Sequence, residues 1–246
     1  MKKIYRIVNI ARSGGHAIAN WLYDQFPCEK KDLIKFKDYV HIVNNQNGIN
    51  VIFDRYENSN IHFVHRTKAR YKDLEIPDID ERESIYILIL RDPFNLFASR
   101  SHNRDMRKEN RQQIDKVKDR WKEHAKEFLC DTNNYKNKIC ISYNEWFSNV
   151  EYRKSLSKKI GGVFSDLLIN IMTNEGRGSS FSDRNNQHLR QHAQELDTAN
   201  RWRIFFKDDR YNVYKNKVLP IFKDKELISL SKRVFGNIEG TEKLYE

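Results

Sequence analysis

Apolar positions along the chain follow two spacings, and the way these alternate predicts the fold class. Ser84–Leu90 reads SIYILIL, with six apolar residues in a row from Ile85 to Leu90. Such an unbroken run suits a strand covered on both faces, as in a parallel sheet between helices. Ile4–Ala11, Asn50–Asp54, Ile61–His65 and Lys138–Ser142 also read as strands. Between them, Ala17, Ile18, Trp21, Leu22 and Phe26 sit at three- and four-residue steps and stop at Pro27, the signature of an amphipathic helix. Ile114, Val117, Trp121, Ala125 and Phe128 repeat that spacing, as do Leu227, Leu230 and Val234. Strands alternating with helices predict an α/β three-layer architecture: a mostly parallel central sheet with flanking helices. No repeat or low-complexity tract marks a linker, so one domain over residues 1–246 is expected, with a helical C-terminal part beyond Gly162 packed on the sheet.

Composition narrows the partners. Hydrophobic residues make up 39% and aromatic residues 12%, enough to build a core. With 45 Lys and Arg against 34 Asp and Glu, the formal net charge is +11. That sign favours an anionic partner, although a solubilising excess of lysine would give the same number. Arg6, Asn9 and Arg12 interrupt any signal-peptide core, and the longest apolar run is far short of the ~20 residues of a membrane helix. Cys28, Cys130 and Cys140 have neither an even number nor Cys-x-x-Cys spacing, which reads as reduced thiols. A soluble, cytoplasmic protein with no transmembrane segment is the expectation.

Two motifs carry chemistry. After the first strand comes Ala11-Arg12-Ser13-Gly14-Gly15-His16, then the first helix. A small-residue turn leading into a helix start aims backbone N–H groups and a partial positive charge at an anion, and Arg12 adds a full charge. A Walker A loop would need lysine at His16 and glycine at Ile10, so an ordinary ATPase or GTPase is disfavoured. Taken alone, the segment also reads as a plain glycine turn. The second motif begins where the strand 84–90 ends: Arg91-Asp92-Pro93, with Ser99 eight positions after Arg91. An arginine at the carboxyl edge of a buried strand is set to meet a ligand, and Ser99 could share one anion with it. The alternative is an Arg91–Asp92 pair capping a helix that starts at Pro93.

Together these stretches resemble the sulfotransferases that use 3′-phosphoadenosine 5′-phosphosulfate, over residues 4–181. Arg12-Ser13-Gly14-Gly15-His16-Ala17 looks like a variant of that family's Pro-Lys-Ser-Gly-Thr-Thr-Trp loop, and Arg91 and Ser99 match the arginine and serine of its second motif. Arg12 stands where the family has lysine, Gly15 and His16 replace two threonines, and Ala17 replaces an aromatic. The resemblance implies a P-loop-like fold and a co-substrate held by Arg12, Ser13, Gly14, Gly15, His16, Arg91 and Ser99. Arg177, Gly178 and Ser179 in Glu175–Phe181 are similar in chemistry to the family's loop over the 3′-phosphate. Tyr143-Asn144-Glu145-Trp146-Phe147 is similar to a segment that is mainly structural there.

Sulfuryl transfer needs positioning and charge stabilisation at the leaving oxygen, which a cation can supply without a metal. Arg12 is the candidate. A base must take the acceptor's proton, and histidine suits neutral pH. His65, at the end of a predicted strand between the motifs, stands where many members of the resembled family carry their catalytic histidine and is the first choice the resemblance implies. His16 is an alternative within the loop, and Glu57 and Asp54 are carboxylate alternatives of the kind other branches of that family use. His188 and His192 share helical spacing but lack a third ligand, so they read as a solvated face. Trp202 and Phe205 read as core, and Arg104–Lys126 as a solvated helix, heavily charged on one side, whose basic side could meet an acidic glycan. The leading expectation is a sulfotransferase acting on a hydroxyl, most simply of a carbohydrate, with no metal and no specific nucleic acid. An atypical P-loop nucleotide kinase or phosphoryl transferase, and a non-enzymatic polyanion binder, are the other two classes. The sequence sets no oligomeric state.

Overall fold

The protein is represented by a computed structural model that describes residues 4–25, 31–33, 40–45, 50–54, 84–101, 108–167 and 200–244. In chain order the elements are β1 (Ile4–Asn9), α1 (Gly15–Asp24), β2 (Lys31–Leu33), β3 (Val40–Asn45), β4 (Asn50–Asp54), β5 (Ser84–Leu90), α2 (Pro93–Ser101), α3 (Arg111–Phe128), β6 (Lys138–Ser142), α4 (Tyr143–Ser148) and α5 (Val150–Ile160). Then come α6 (Arg201–Lys207), α7 (Asn212–Val218) and α8 (Lys225–Phe235), with 3-10 turns at Asp209–Tyr211, Leu219–Lys223 and Glu242–Leu244. The expected strand over Ile61–His65 lies outside the described residues.

The strands form one sheet in the order β2-β3-β4-β1-β5-β6. β1 runs parallel to both β4 and β5, and β5 parallel to β6, while β2 and β3 add an antiparallel edge. The three expected strands β4, β5 and β6 have the bounds read from their apolar runs. The first strand is shorter than expected, ending at Asn9, because the Ser13 N–H turns back to the Ile10 carbonyl at 3.1 Å and breaks the extended path.

Residues 7–9 of β1 and 87–90 of β5 are buried, and side chains at the described ends of these strands divide between two cores as pleating requires. Ile7, Ile87, Ile89, Ile139 and Ile141 pack with Ile18, Trp21 and Leu22 of α1 and with Leu156 and Ile160 of α5. Ile10 and Leu90 join the other core, built from Phe94 and Phe97 of α2, Ile114 and Trp121 of α3, Trp202 and Phe205 of α6, and Leu227 and Leu230 of α8. Helices therefore cover both faces, and the C-terminal helices share a core with the end of β5. Burying each such side chain contributes about 1.5–3 kcal/mol of transfer free energy.

The charged side of α3 differs from the expectation of a solvated face. An Asn110–Gln113 capping box starts this helix, and its apolar stripe faces the core. Lys118 and Lys122 reach Asp224 at 3.7 and 3.0 Å, and Lys122 and Lys126 reach Glu226 at 2.9 and 2.6 Å. Opposite charges on the start of α8 thus engage these lysines, which sequence periodicity alone does not reveal.

The chain leaves β1 into α1 on one face of the sheet and leaves the adjacent β5 into α2 and α3 on the other. Neighbouring parallel strands whose connections diverge in this way open a crevice at their carboxyl ends, where α/β proteins bind ligands. Both sequence motifs start there.

Candidate anion site at the carboxyl edge of the sheet

The loop after β1 is a tight turn with an unusual occupant. The Ile10–Ser13 hydrogen bond closes it, and Arg12 adopts φ +78°, a left-handed conformation that L residues other than Asn and Asp rarely take. Gly14 follows at φ +88°. A Cβ there would stand 2.0 Å from Tyr143 Cε2, so the ring at the start of α4 closes directly over this glycine. Ser13 is buried and its hydroxyl donates to the Ile10 carbonyl, while Asn9 Nδ2 donates to the Ser13 hydroxyl at 3.4 Å. The Ser13 side chain thus holds the turn. Gly15 and His16 occupy the first turn of α1, where backbone N–H groups lack intrahelical acceptors.

The second motif reaches across to the first. Arg91 Nη1 donates to the Arg12 carbonyl at 3.1 Å, and Arg100 Nη1 donates to the Ala11 carbonyl at 3.5 Å. Arg12 Nε donates to Ser99 Oγ at 3.2 Å. Arg91 itself is 2% exposed, with its guanidinium 4.9 Å from the centre of the Tyr143 ring, a cation–π contact. Its carbonyl accepts the indole N–H of Trp121 at 2.9 Å. Asp92 caps α2: its carboxylate accepts the Asn95 N–H at 2.8 Å and the Asn144 side-chain amide at 2.9 Å, with Pro93 in the first helical position. The capping carboxylate is accordingly tied to two asparagines while the arginine beside it turns to the loop.

Of the residues singled out in the sequence, Arg12, Ser13, Gly14, Gly15, Arg91 and Ser99 come together at this edge, and His16 lies beside them in α1. His65, Arg177, Gly178, Ser179, His188 and His192 lie outside the described residues. Three neighbours are not among the expected ligand-holding residues, Tyr143 belonging to the segment expected to be mainly structural. Tyr143 covers Gly14, Arg100 pairs with Glu109 at 2.6 Å beneath the turn, and Arg201 Nη1 donates to Ser99 Oγ at 3.4 Å. Trp202 and Phe205 are buried core residues, as expected.

Burial displaces the titration of several groups. The Tyr214 phenol is held protonated, pushed up by burial against the opposing charge of Arg100. His124 on α3 is driven down to about 4, by burial first and then by the charge of Arg120, with Glu127 opposing. Burial also pushes the Cys140 thiol up to about 11; it and Cys130 are free cysteines. Among the described residues no cluster of three or more metal-ligating side chains occurs, and no helix is long and apolar enough to cross a membrane. Chemically, this edge offers guanidiniums, a buried hydroxyl and helix-start amides, the donors that recognise phosphate and sulfate oxygens. No protein-family model, curated protein or solved structure matches the chain.

Proposed function

We propose that the chain is a sulfotransferase with a P-loop-like fold, moving a sulfuryl group from 3′-phosphoadenosine 5′-phosphosulfate to an acceptor hydroxyl, most simply of a carbohydrate. The observation that carries this reading is the direct link between the two motifs, Arg91 to the carbonyl of Arg12 and Arg12 to the hydroxyl of Ser99, at adjacent strand ends. An anionic co-substrate with charged groups at two places calls for donors on both motifs. The +11 charge supports an anionic ligand without naming it.

In this reading the helix-start amides of residues 14–17 and the turn bind the 5′-phosphosulfate, and Arg91 and Ser99 bind the 3′-phosphate. The bridging S–O bond breaks as the acceptor oxygen bonds to sulfur. The electron pair leaves on the phosphate oxygen of adenosine 3′,5′-bisphosphate, where the Arg12 guanidinium offsets the charge. The acceptor proton passes to a base, for which His65 and His16 are the candidates. No metal ion is needed for this balance.

Calorimetry decides between this and phosphoryl transfer. Adenosine 3′,5′-bisphosphate should bind without added metal, whereas ATP with magnesium should not. Arg91→Ala should cost about 1.5–3 kcal/mol of that affinity, the range for a charge-assisted contact. Tight binding of magnesium-ATP in place of the bisphosphate would refute the proposal in favour of a kinase. Binding of any polyanion alike, falling steeply with salt, would refute it in favour of an electrostatic binder.

A further inference from the structure

We infer that the outer side of α8 is a docking surface for an acidic peptide segment of a partner protein, one that carries a large apolar residue between carboxylates. This surface lies apart from the anion site and does not depend on the function proposed for it. It is an open pocket of about 530 Å³ between α8 and the 3-10 turn that precedes it. Phe222 and Ile228 form its apolar floor, and Lys223, Lys225, Lys232 and Arg233 stand around them. No carboxylate belongs to the lining, and none of the lining residues takes part in the anion site.

The positive rim comes from the way alternating charges are sorted. Lys223-Asp224-Lys225-Glu226 is neutral as a stretch of sequence. In the fold its two acids turn to the helix start and to α3. Asp224 accepts the Leu227 N–H at 3.0 Å, as the cap of α8, and Lys122 Nζ at 3.0 Å. Glu226 meets Lys122 and Lys126 at 2.9 and 2.6 Å. Lys223 and Lys225 are left exposed on the pocket side, and among the described residues neither has a carboxylate partner. A neutral segment thus presents only its cations to a partner.

The chemistry of the lining selects the occupant. Ile228 follows Lys225 by three residues, so the two share one face of α8, and an apolar centre inside a charged rim is the anatomy of a protein–protein contact. Small-molecule sites enclose most of their ligand, whereas a small anion in this open pocket would stay largely wet. A peptide can instead seat one apolar side chain on Ile228 and lay the flanking residues over the lysines. The arginine of the rim is already engaged: Arg233 grips Asp131 through two hydrogen bonds of 2.6 and 2.8 Å. That pair is a carboxylate from a chain-distant segment seated on α8. Lys223 and Lys225 offer point charges on flexible stems, which take carboxylates in many geometries and lack the planar fork that arginine presents to phosphate.

The test is fluorescence anisotropy of a tagged Asp-Glu-Leu-Asp-Glu peptide with the full chain. Saturable binding is expected, reversed by the same peptide without its tag and unaffected by adenosine 3′,5′-bisphosphate. Lys223→Glu combined with Lys225→Glu should weaken it by about tenfold or more, since attraction becomes repulsion at two places. Both side chains are exposed, so the variant should melt with the wild type. Asp-Glu-Ala-Asp-Glu should bind about fivefold more weakly or worse, for want of the apolar anchor, and Asn-Gln-Leu-Asn-Gln should not compete. Absence of saturable binding, equal binding of the leucine and alanine peptides, or a lysine variant within about twofold of wild type would overturn the proposal. So would displacement of the peptide by the bisphosphate, which would move it to the anion site. Lysine-dependent attachment to phosphatidylserine vesicles in place of peptide binding would overturn it in favour of a membrane surface.

Discussion

Gly14→Ala is the sharpest probe of whether the β1 loop and the end of β6 meet as described. The substitution adds one methyl group at two kinds of disadvantage. The backbone sits at φ +88°, where an L side chain costs roughly 1–2 kcal/mol. The new Cβ would stand 2.0 and 2.1 Å from two carbons of the Tyr143 ring, whereas carbon atoms pack best about 3.5–4.0 Å apart. The ring cannot simply swing away. It is 7% exposed, its centre lies 5.8 Å from that of Trp146 and 6.0 Å from that of Phe147, and Arg91 stands against it. Overpacking of this sort costs about 1–3 kcal/mol, so Gly14→Ala should destabilise by about 2–5 kcal/mol. Urea unfolding measures it, as a lower midpoint at an unchanged slope. Making the same change in a Tyr143→Ala background separates the two causes, because only the backbone cost of roughly 1–2 kcal/mol should then persist. A cost that is equal in both backgrounds, or below about 1 kcal/mol in the wild type, would refute the contact.

Other outcomes follow from the same network. Arg12→Gly should be more stable than Arg12→Ala by about 1 kcal/mol, the reverse of the usual order, because only glycine relieves the left-handed backbone; thermal melts of the two variants check this, and both should lose anion affinity. Trp121→Phe removes the donor to the Arg91 carbonyl and leaves a void, and should cost about 2–4 kcal/mol in urea unfolding. His124 gives a pH dependence whose sign is fixed. Its folded-state pKa of about 4 lies below the unfolded value of 6.5, so the unfolded chain takes up the proton first. Its share of stability is present above pH 6.5 and declines as pH falls toward 4, by at most about 1.4 kcal/mol per pH unit. Thermal melts of His124→Gln against wild type between pH 7 and 4 should show that slope removed.

Much of the framework was legible in the pattern of residues. The run SIYILIL marked β5 because burial on both faces leaves no room for alternation, and the three-and-four spacing of Ile114 to Phe128 marked α3 because that stripe alone meets the core. β2 and β3 were not legible. Their sequences, KDL and VHIVNN, carry short apolar content, and pairing with β4 in an antiparallel sense is a tertiary decision. The site was readable as far as its motifs went. Arg12, Arg91 and Ser99 were singled out by strand ends and spacing, but their mutual contacts span up to 87 residues of sequence. Arg201 sits beside an evident core tryptophan, and its neighbour drew the reading toward packing; only the docking of α6 on α2 brings its side chain to Ser99. The role of the Ser13 hydroxyl within its own turn likewise depends on the path of residues 10–13, which spacing does not specify.

The left-handed arginine unites these observations. A non-glycine residue in that region costs on the order of 1–3 kcal/mol and persists only where its surroundings over-determine it. Here the turn is tied from several directions. Arg91 and Arg100 hold the carbonyls of residues 12 and 11, Ser99 receives the Arg12 side chain, and Tyr143 caps Gly14. Those contacts come from α2, α4 and the end of β5; Trp121 braces Arg91, and Asn144 holds Asp92 beside it. Glycine at position 12 would satisfy the backbone and dispense with this bracing. Arginine instead puts a guanidinium at the mouth of the crevice between β1 and β5, facing a hydroxyl that a second guanidinium already approaches. Strain concentrated at a topological switch point, sustained by contacts from chain-distant segments and spent on the placement of one cation, supports the proposed anion site over a plain connecting turn.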